Sequence, residues 1–189
     1  MNGWYFDIES DGFYLQSKTI WYIKFKTLDN SRSMSVYPFK QDCKTKILEW
    51  INSFEDGALV VQHNGLGFDT WMLWKFFNIQ PRVGKKGKDW LGSKHVQFID
   101  TLILSQYLQP DSISHSLAYL SSGNDNEKID YRKHLIETGV IPKDSHKGFE
   151  FSFYNEYMDT YCDADVDAGI TVFNKLWKLA QEMYGVGNW

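Results

Sequence analysis

The chain has 189 residues, of which 43% are hydrophobic and 17% aromatic, and its formal net charge is −4. That apolar content can fill one sizeable core, which argues against a disordered chain. The negative charge argues against a protein that coats nucleic acid through positive charge alone, because such proteins are basic.

No apolar run approaches the roughly 20 residues of a membrane-spanning helix. Residues 1–12 carry no basic region followed by an apolar run, so no signal peptide is expected. The two cysteines, Cys43 and Cys162, predict no disulfide framework and fit a reducing compartment. We therefore expect a soluble, cytoplasmic protein with no membrane partner.

The first third of the chain alternates like antiparallel strands. β-Branched and aromatic residues concentrate at residues 3–9, 19–26 and 33–39, which predicts three strands. Turn-prone sequences separate these strands, as in a meander. A helical period of apolar residues then predicts a helix over 42–54, with Asp42 as its N-cap.

From residue 58 onward, short apolar strands alternate with amphipathic helices. The pattern predicts a buried strand, a helix, a strand running into a helix, a short helix, a polar irregular segment, and a last helix broken near 163–165. In chain order these lie at residues 58–64, 68–77, 96–108, 114–122, 123–150 and 152–184. This order favours an α/β fold, in which helices flank a mixed sheet.

Two carboxylates, Asp7 and Glu9, end the first apolar strand in the sequence WYFDIESDG. Side chains two residues apart share one face of a strand, so these acids are expected side by side. Neighbouring carboxylates resist joint ionisation unless a cation lies between them, and Mg²⁺ prefers oxygen ligands. Taken alone, the pair is better explained as a solvated strand end, because short motifs match by chance.

A second segment, HNGLGFD at residues 63–69, places Asn64, Phe68 and Asp69 between a buried strand and a helix. Taken alone, it is explained by a turn and by a favourable charge at a helix N-terminus.

A third segment, YCDAD, places Tyr161 and Asp165 on one face of a helix, since residues four apart stack there. The alternating acids Asp163 and Asp167 leave the register open. Asp165 is preferred because it alone follows a tyrosine by four residues, although an ordinary helix face with a surface acid is the simpler explanation.

In this order, FDIE, NGLGFD and YCDAD resemble the three motifs of the DEDD superfamily of DnaQ-like 3′–5′ exonucleases. They are similar to motifs in the proofreading domains of phage-type family A and family B DNA polymerases. The segments IDTLILSQYL and SHSLAYL extend the likeness, which covers about residues 3–177. One class of the family has histidine five residues before the last aspartate, where this chain has Thr160. The other class has tyrosine four residues before it, which Tyr161 matches.

The resemblance implies a ribonuclease H-like α/β fold, with a five-stranded mixed sheet flanked by helices. A single 3′–5′ exonuclease domain is expected over residues 1–189. Such a domain hydrolyses 3′ ends of single-stranded DNA to nucleoside 5′-monophosphates by a two-metal mechanism, in proofreading or in other DNA processing.

The resemblance also implies the roles of individual residues. Asp7, Glu9, Asp69 and Asp165 are the expected catalytic metal ligands for two divalent cations, Mg²⁺ or Mn²⁺. Tyr161 is expected to orient the attacking water by a hydrogen bond, since an ordinary tyrosine pKa near ~10 is too high for an efficient unassisted base.

The substrate contacts are expected at Glu9, Asn64, Phe68 and His115. Glu9 would meet the 3′-OH of the terminal sugar, and Asn64 would lie near the phosphate. His115 could approach the nucleic acid, but it is better explained by capping and packing of a helix.

Several alternatives remain open. An RNA exonuclease of the ribonuclease D type uses the same tyrosine class, and no residue visibly reads a 2′-OH. A non-catalytic nucleic-acid-binding module of the same fold would be expected to lose carboxylates that this chain retains. The basic segment 82–94 either follows a phosphate backbone or is a solvated loop.

The setting is also open between a stand-alone nuclease, a proofreading subunit of a split polymerase, and an excised domain. A bacterial or phage-infected cell is the expected source, with a polymerase or another replication protein as partner.

Overall fold

A mixed sheet of seven strands forms the centre of the protein, as seen in a computed structural model that describes residues 2–84, 89–124, 126 and 128–185. The strands are β1 (Gly3–Ser10), β2 (Ile20–Thr27), β3 (Ser33–Val36), β4 (Ala58–Gln62), β5 (Pro81–Arg82), β6 (Asp89–Leu91) and β7 (Lys94–Asp100). The α-helices are α1 (Lys44–Asn52), α2 (Asp69–Phe77), α3 (Thr101–Leu108), α4 (Leu117–Ser121), α5 (Tyr131–Glu137) and α6 (Tyr157–Tyr184). Within these residues, no helix is long and apolar enough to cross a bilayer.

The strand order in the sheet is β3-β2-β1-β4-β7-β6-β5. β2 is antiparallel to β1 and β3, which confirms the predicted meander. β4 is parallel to both β1 and β7. Because β1, β4 and β7 run in one direction, their carboxyl ends meet at the same edge of the sheet.

The prediction of five strands is wrong, because the sheet has seven. Strands β3, β2, β1, β4 and β7 match the expectation, and the short strands β6 and β5 extend the sheet beyond β7. β6 pairs with β7 through a tight turn in which Gly92 has a φ of 61°, a conformation that glycine adopts without strain.

β5 begins one residue before the basic segment 82–94, and β6 lies within it, where the surrounding lysines hide the strand pattern. Within this segment, Lys85, Lys86 and Lys88 lie outside the described residues.

The alternation along β1 builds two separate cores. Trp4, Phe6 and Ile8 are buried in one cluster, which also contains side chains of α1 and α2. Tyr5 is buried on the opposite face, in a cluster with Val166 of α6. The predicted alternation is confirmed, and it turns Asp7 and Glu9 toward the face that α6 covers.

A glycine brings α6 close to this face. A Cβ atom at Gly169 would lie 2.1 Å from Cζ of Tyr5, so any larger residue would push the helix away from β1. Asp165 lies one helical turn before Gly169. The close contact therefore carries Asp165 toward the end of β1.

α6 is continuous over 28 residues, and the predicted break near 163–165 is wrong. Asp163 pairs with Lys24 at 3.0 Å, and Asp167 pairs with Lys26 at 2.5 Å. The lysines lie two apart on β2 and the acids lie one turn apart on α6, so the two spacings match. Ion pairs with lysines of the sheet thus compensate the negative charges at the point where a break in α6 is predicted.

Residues 123–150 are not wholly irregular as predicted, because they contain α5. Asp130 caps this helix by accepting a hydrogen bond from the N–H of Lys133 at 3.0 Å. Tyr131 and Leu135, four residues apart, are buried on one face. A helix this short forms because it packs against its neighbours rather than through its own propensity.

Asp42 is not the N-cap of α1. The helix begins at Lys44, with Cys43 in the capping position and no capping side-chain bond. Asp42 lies one residue earlier and accepts a hydrogen bond from the N–H of Lys44 at 3.0 Å.

Candidate active site

A cavity of about 540 Å³ opens at the sheet edge where β1 and β4 end. The carboxyl ends of parallel strands are a common place for ligand sites in α/β proteins. The lining contains all five side chains predicted to be catalytic: Asp7, Glu9, Asp69, Tyr161 and Asp165. The first two come from β1, the third from α2 and the last two from α6.

Asp7 and Glu9 lie close together beside Cys162. One carboxylate oxygen from each acid and the Cys162 sulfur lie within 4.8 Å of one another. Burial raises the pKa of Glu9 well above its ordinary value, and the charges of Asp7 and Asp165 add to this. Burial also raises the pKa of Asp7, against the opposing charge of Lys128. The two acids therefore favour a cation beside them.

Asp69 begins α2 but points into the cavity and is only 4% exposed. Its Oδ1 accepts a hydrogen bond from the N–H of Ile8 at 3.0 Å, which ties the helix start to β1. Burial raises the pKa of Asp69 well above its ordinary value, and the charge of Asp7 raises it further. A solvated acid that only complements the helix dipole would not be buried in this way.

The turn between β4 and α2 is held by Asp100. Its Oδ1 accepts hydrogen bonds from the N–H groups of Asn64 (2.8 Å) and Leu102 (3.0 Å), and its Oδ2 accepts one from Leu66 (3.2 Å). Asp100 thus caps α3 and also fixes the turn that brings Asn64 and Phe68 to the cavity.

α6 presents Asp165 to the cavity and turns Asp163 toward β2. Asp165 is 5% exposed. Burial raises the pKa of Asp165 to about 6, although the charge of Lys128 lowers it. The hydroxyl of Tyr161 also faces the cavity, and burial raises the pKa of Tyr161 far above its ordinary value, with Asp165 and Glu9 adding to the effect. Tyr161 therefore stays protonated at neutral pH.

Lys128 is a site residue that the sequence analysis does not single out. Its Nζ donates hydrogen bonds to Asp165 Oδ2 and to the Tyr161 hydroxyl oxygen, the latter at 2.8 Å. The ammonium group also lies 4.6 Å from the centre of the Tyr161 ring. Lys128 comes from the segment before α5 that is predicted as irregular, and no local pattern there marks a lysine as part of the site.

Three of the four predicted substrate contacts line the cavity, and the fourth does not. Glu9, Asn64 and Phe68 line the cavity. His115 is absent from the described lining, and its Nδ1 lies 3.0 Å from Ser105 Oγ in α3. This bond fits the packing role that the sequence leaves open for His115.

The residues of the cavity fit a divalent cation. Among the described residues, the buried Oδ1 of Asp165 has no hydrogen-bond partner. A buried carboxylate oxygen without a partner is costly unless a cation occupies its free side. Lys128 is the one lysine or arginine in the described lining, facing four carboxylates. Oxygen ligands of this kind suit Mg²⁺ and Mn²⁺.

No protein-family model and no curated protein matches the sequence. Solved structures do share the fold. The family B DNA polymerase from Pyrobaculum calidifontis matches 94% of the chain with a TM-score of 0.61 at 15% identity, over 24% of the polymerase. NrnC from Brucella melitensis with bound Mg²⁺ matches 96% of the chain with a TM-score of 0.56 at 13% identity, over 75% of NrnC. The zinc-bound complex of E. coli ExoI with single-stranded DNA matches 98% of the chain with a TM-score of 0.54 at 13% identity, over 42% of ExoI.

At these identities the likeness shows a shared mixed α/β fold. The chain spans about a quarter of the polymerase and less than half of ExoI. The activity of the chain has to be inferred from its own cavity.

Proposed function

We propose that this chain is a divalent-metal-dependent 3′–5′ exonuclease of the tyrosine class, a single domain over residues 1–189 that hydrolyses 3′ ends of single-stranded DNA to nucleoside 5′-monophosphates. One observation carries the proposal. Asp7, Glu9, Asp69 and Asp165 come from distant parts of the sequence and converge on one cavity beside Tyr161. Four acids whose pKa values are all raised make a site that favours added cations.

The fold comparisons support the substrate class. ExoI was solved with single-stranded DNA, and NrnC with Mg²⁺. The 3′–5′ polarity and the choice of DNA over RNA rest on the likeness of the three motifs to polymerase proofreading domains. The same likeness supports a cytoplasmic role with a polymerase or another replication protein.

The four carboxylates would hold Mg²⁺ or Mn²⁺ ions, which supply charge neutralisation, a more acidic water and stabilisation of the leaving 3′ oxygen. The protein arranges those ligands in advance. The backbone of Ile8 fixes Asp69, and the packing of α6 against β1 fixes Asp165. Ligands held in this way need little rearrangement when substrate binds.

Tyr161 orients the attacking water in this proposal. Its oxygen accepts the hydrogen bond from Lys128, so its own O–H points toward Asp165 and the water that would lie beside that carboxylate. Because burial raises the pKa of Tyr161, the hydroxyl keeps its proton and acts as a hydrogen-bond donor rather than as a base. Lys128 fixes the direction of that hydroxyl and compensates the charge of Asp165.

Glu9, Asn64 and Phe68 are proposed to contact the terminal nucleotide, since all three line the cavity. Asn64 is exposed and has a φ of 60°, so its side chain projects from a tight turn at the rim. His115 is left out of the proposed substrate site because Ser105 holds it elsewhere.

Degradation of end-labelled oligonucleotides tests the proposal. The purified chain is incubated with 5′-labelled and 3′-labelled single-stranded DNA and RNA, in Mg²⁺, Mn²⁺ or EDTA. We expect a ladder from the 3′ end of the DNA with either metal and none in EDTA. Equal activity in EDTA would contradict the metal site, and faster loss of RNA would point to the ribonuclease D type. Binding without hydrolysis in every condition would indicate a non-catalytic module.

A further inference from the structure

Two tryptophans form an exposed aromatic pair on the outer face of α2. Trp71 is 38% exposed and Trp74 is 36% exposed, and their ring centres lie 5.3 Å apart. Buried neighbours on the other side of the helix, such as Met72 and Leu73, fill the core. Large aromatic side chains left on the surface in contact with each other commonly mark a binding site.

The pair is connected to the catalytic cavity. The indole N–H of Trp71 donates a hydrogen bond of 2.8 Å to the carbonyl oxygen of Leu66. Leu66 lies in the turn before α2, whose next residue, Gly67, lines the cavity. The bond fixes the Trp71 ring against the rim, so its exposed face is held in one orientation. A rigid aromatic face loses little entropy when a flat ligand stacks on it.

One positive charge lies beside the pair. Lys75 is in the last turn of α2, and no acidic residue follows Asp69 in this helix, in a chain of net charge −4. Lys75 lies on the same side of α2 as Trp71. Its Nζ donates hydrogen bonds to the carbonyl oxygens of Tyr14 and Ser17, which hold the loop between β1 and β2 beside the helix.

The cavity itself is too small for more than the end of a strand. Its volume of about 540 Å³ is that of an ordinary small-molecule pocket. A longer strand must leave across the rim, and bases that are no longer paired offer flat faces for stacking.

We propose that Trp71 and Trp74 form a stacking platform for the bases of single-stranded nucleic acid that lie outside the cavity, upstream of the terminal nucleotides. The inference rests on the proposed exonuclease function and adds a second binding site to it. Stacking on aromatic rings tolerates any base, so the platform lengthens the contact with the strand without reading its sequence.

The test compares short and long oligomers. Dissociation constants of 5′-labelled dT3 and dT15 are measured by fluorescence anisotropy in Ca²⁺, and single-turnover hydrolysis of both is measured in Mg²⁺. Loss of both rings in Trp71→Ala/Trp74→Ala should weaken binding of dT15 by about tenfold to about a hundredfold, the effect of losing one or two stacked bases. Binding and hydrolysis of dT3 should stay within about twofold of wild type, since so short an oligomer ends at the cavity and its rim.

A matched control uses a second exposed aromatic pair. Tyr107 and Tyr184 have ring centres 5.7 Å apart, and neither lines the cavity in the described part of the chain. The variant Tyr107→Ala/Tyr184→Ala should bind dT15 like wild type. Trp71→Phe/Trp74→Phe keeps two rings and should retain most of the dT15 affinity, which separates stacking from damage to the fold.

Three results would overturn the platform. The first is unchanged dT15 binding in Trp71→Ala/Trp74→Ala. The second is an equal loss of dT15 affinity in the tyrosine control. The third is that wild type sediments as a dimer and Trp71→Ala/Trp74→Ala sediments as a monomer. The last result would show that a second copy of the chain covers this face. If wild type hydrolyses both oligomers and any of these three results is found, only the stacking platform is rejected. If wild type hydrolyses neither oligomer, the proposed exonuclease function is rejected. If wild type also does not bind dT15, both proposals are rejected.

Discussion

Replacing Lys128 with methionine should destabilise the metal-free protein in a strongly pH-dependent way. Lys128 pairs with Asp165, and the two side chains are 25% and 7% exposed. Burial raises the pKa of Asp165 to about 6, even with Lys128 lowering it. Methionine keeps the length of the side chain but removes the charge, so Asp165 must then either remain an unpaired buried carboxylate or bind a proton.

The size of the effect follows from the cost of binding that proton. The folded-state pKa of Asp165 lies above the ordinary value of 3.8, so wild-type stability without metal falls as pH rises from about 4 to about 6. In Lys128→Met this fall continues to higher pH. Protonation limits the added loss to about 1.4 kcal/mol per pH unit above 6, which is about 3 kcal/mol at pH 8. For a chain of this size that lowers the Tm by up to about 10 °C.

Thermal unfolding in EDTA, followed by circular dichroism at pH 6 and pH 8, measures this difference. We expect a small shift at pH 6 and a large one at pH 8. The double variant Lys128→Met/Asp165→Asn is the control, because the amide has no charge to compensate. The pH-dependent part of the loss should shrink to what Asp7 and Glu9 contribute, since the charge of Lys128 also lowers their pKa values. Equal shifts at both pH values would refute the electrostatic role of Lys128.

Four other substitutions test the proposed roles of the site residues. Asp7→Asn should abolish hydrolysis yet raise the Tm in EDTA, since it removes one of the buried charges that oppose each other; a near-normal rate would exclude Asp7 from catalysis. Asp165→Ala should stop hydrolysis. Asp163→Ala, which loses the ion pair with Lys24 and the hydrogen bond from the Tyr22 hydroxyl, should change the rate less than about twofold and cost about 1–2 kcal/mol of stability; the reverse pattern in rates would show that Asp163 rather than Asp165 acts in the site. Tyr161→Phe should slow single-turnover hydrolysis by about 10²-fold with little change in metal affinity, because the hydroxyl orients water and is not a ligand; an unchanged rate would remove the hydroxyl from the mechanism.

The elements that the sequence predicts well are those with a simple period. The alternation of Trp4, Phe6 and Ile8 with Tyr5 and Asp7 is visible in seven letters, and it correctly sends the two sets to opposite faces of the sheet. The helical spacing of Tyr161 and Asp165 likewise brings both to the cavity. Local geometry alone determines both results.

Features that depend on distant partners were not predictable in the same way. The acids of α6 suggest a break until Lys24 and Lys26 of β2 are found beside them. β5 and β6 are only two and three residues long, too short for a periodic pattern, and they form because β6 pairs with the edge of β7 and β5 pairs with β6. Lys128 is one of three charged residues in GNDNEK, and only the folded chain places it against Asp165 and Tyr161.

Anomalous diffraction from crystals soaked in Mn²⁺ tests the central claim most directly, which is that these carboxylates form a metal site. We expect anomalous peaks inside the cavity, in contact with carboxylate oxygens of Asp7 and Asp165, and no such peaks in crystals of Asp7→Asn. We expect the peak nearest Asp165 to lie beside its Oδ1, the oxygen without a hydrogen-bond partner, with Lys128 still on Oδ2. A cavity without peaks at saturating Mn²⁺ would contradict the proposed site.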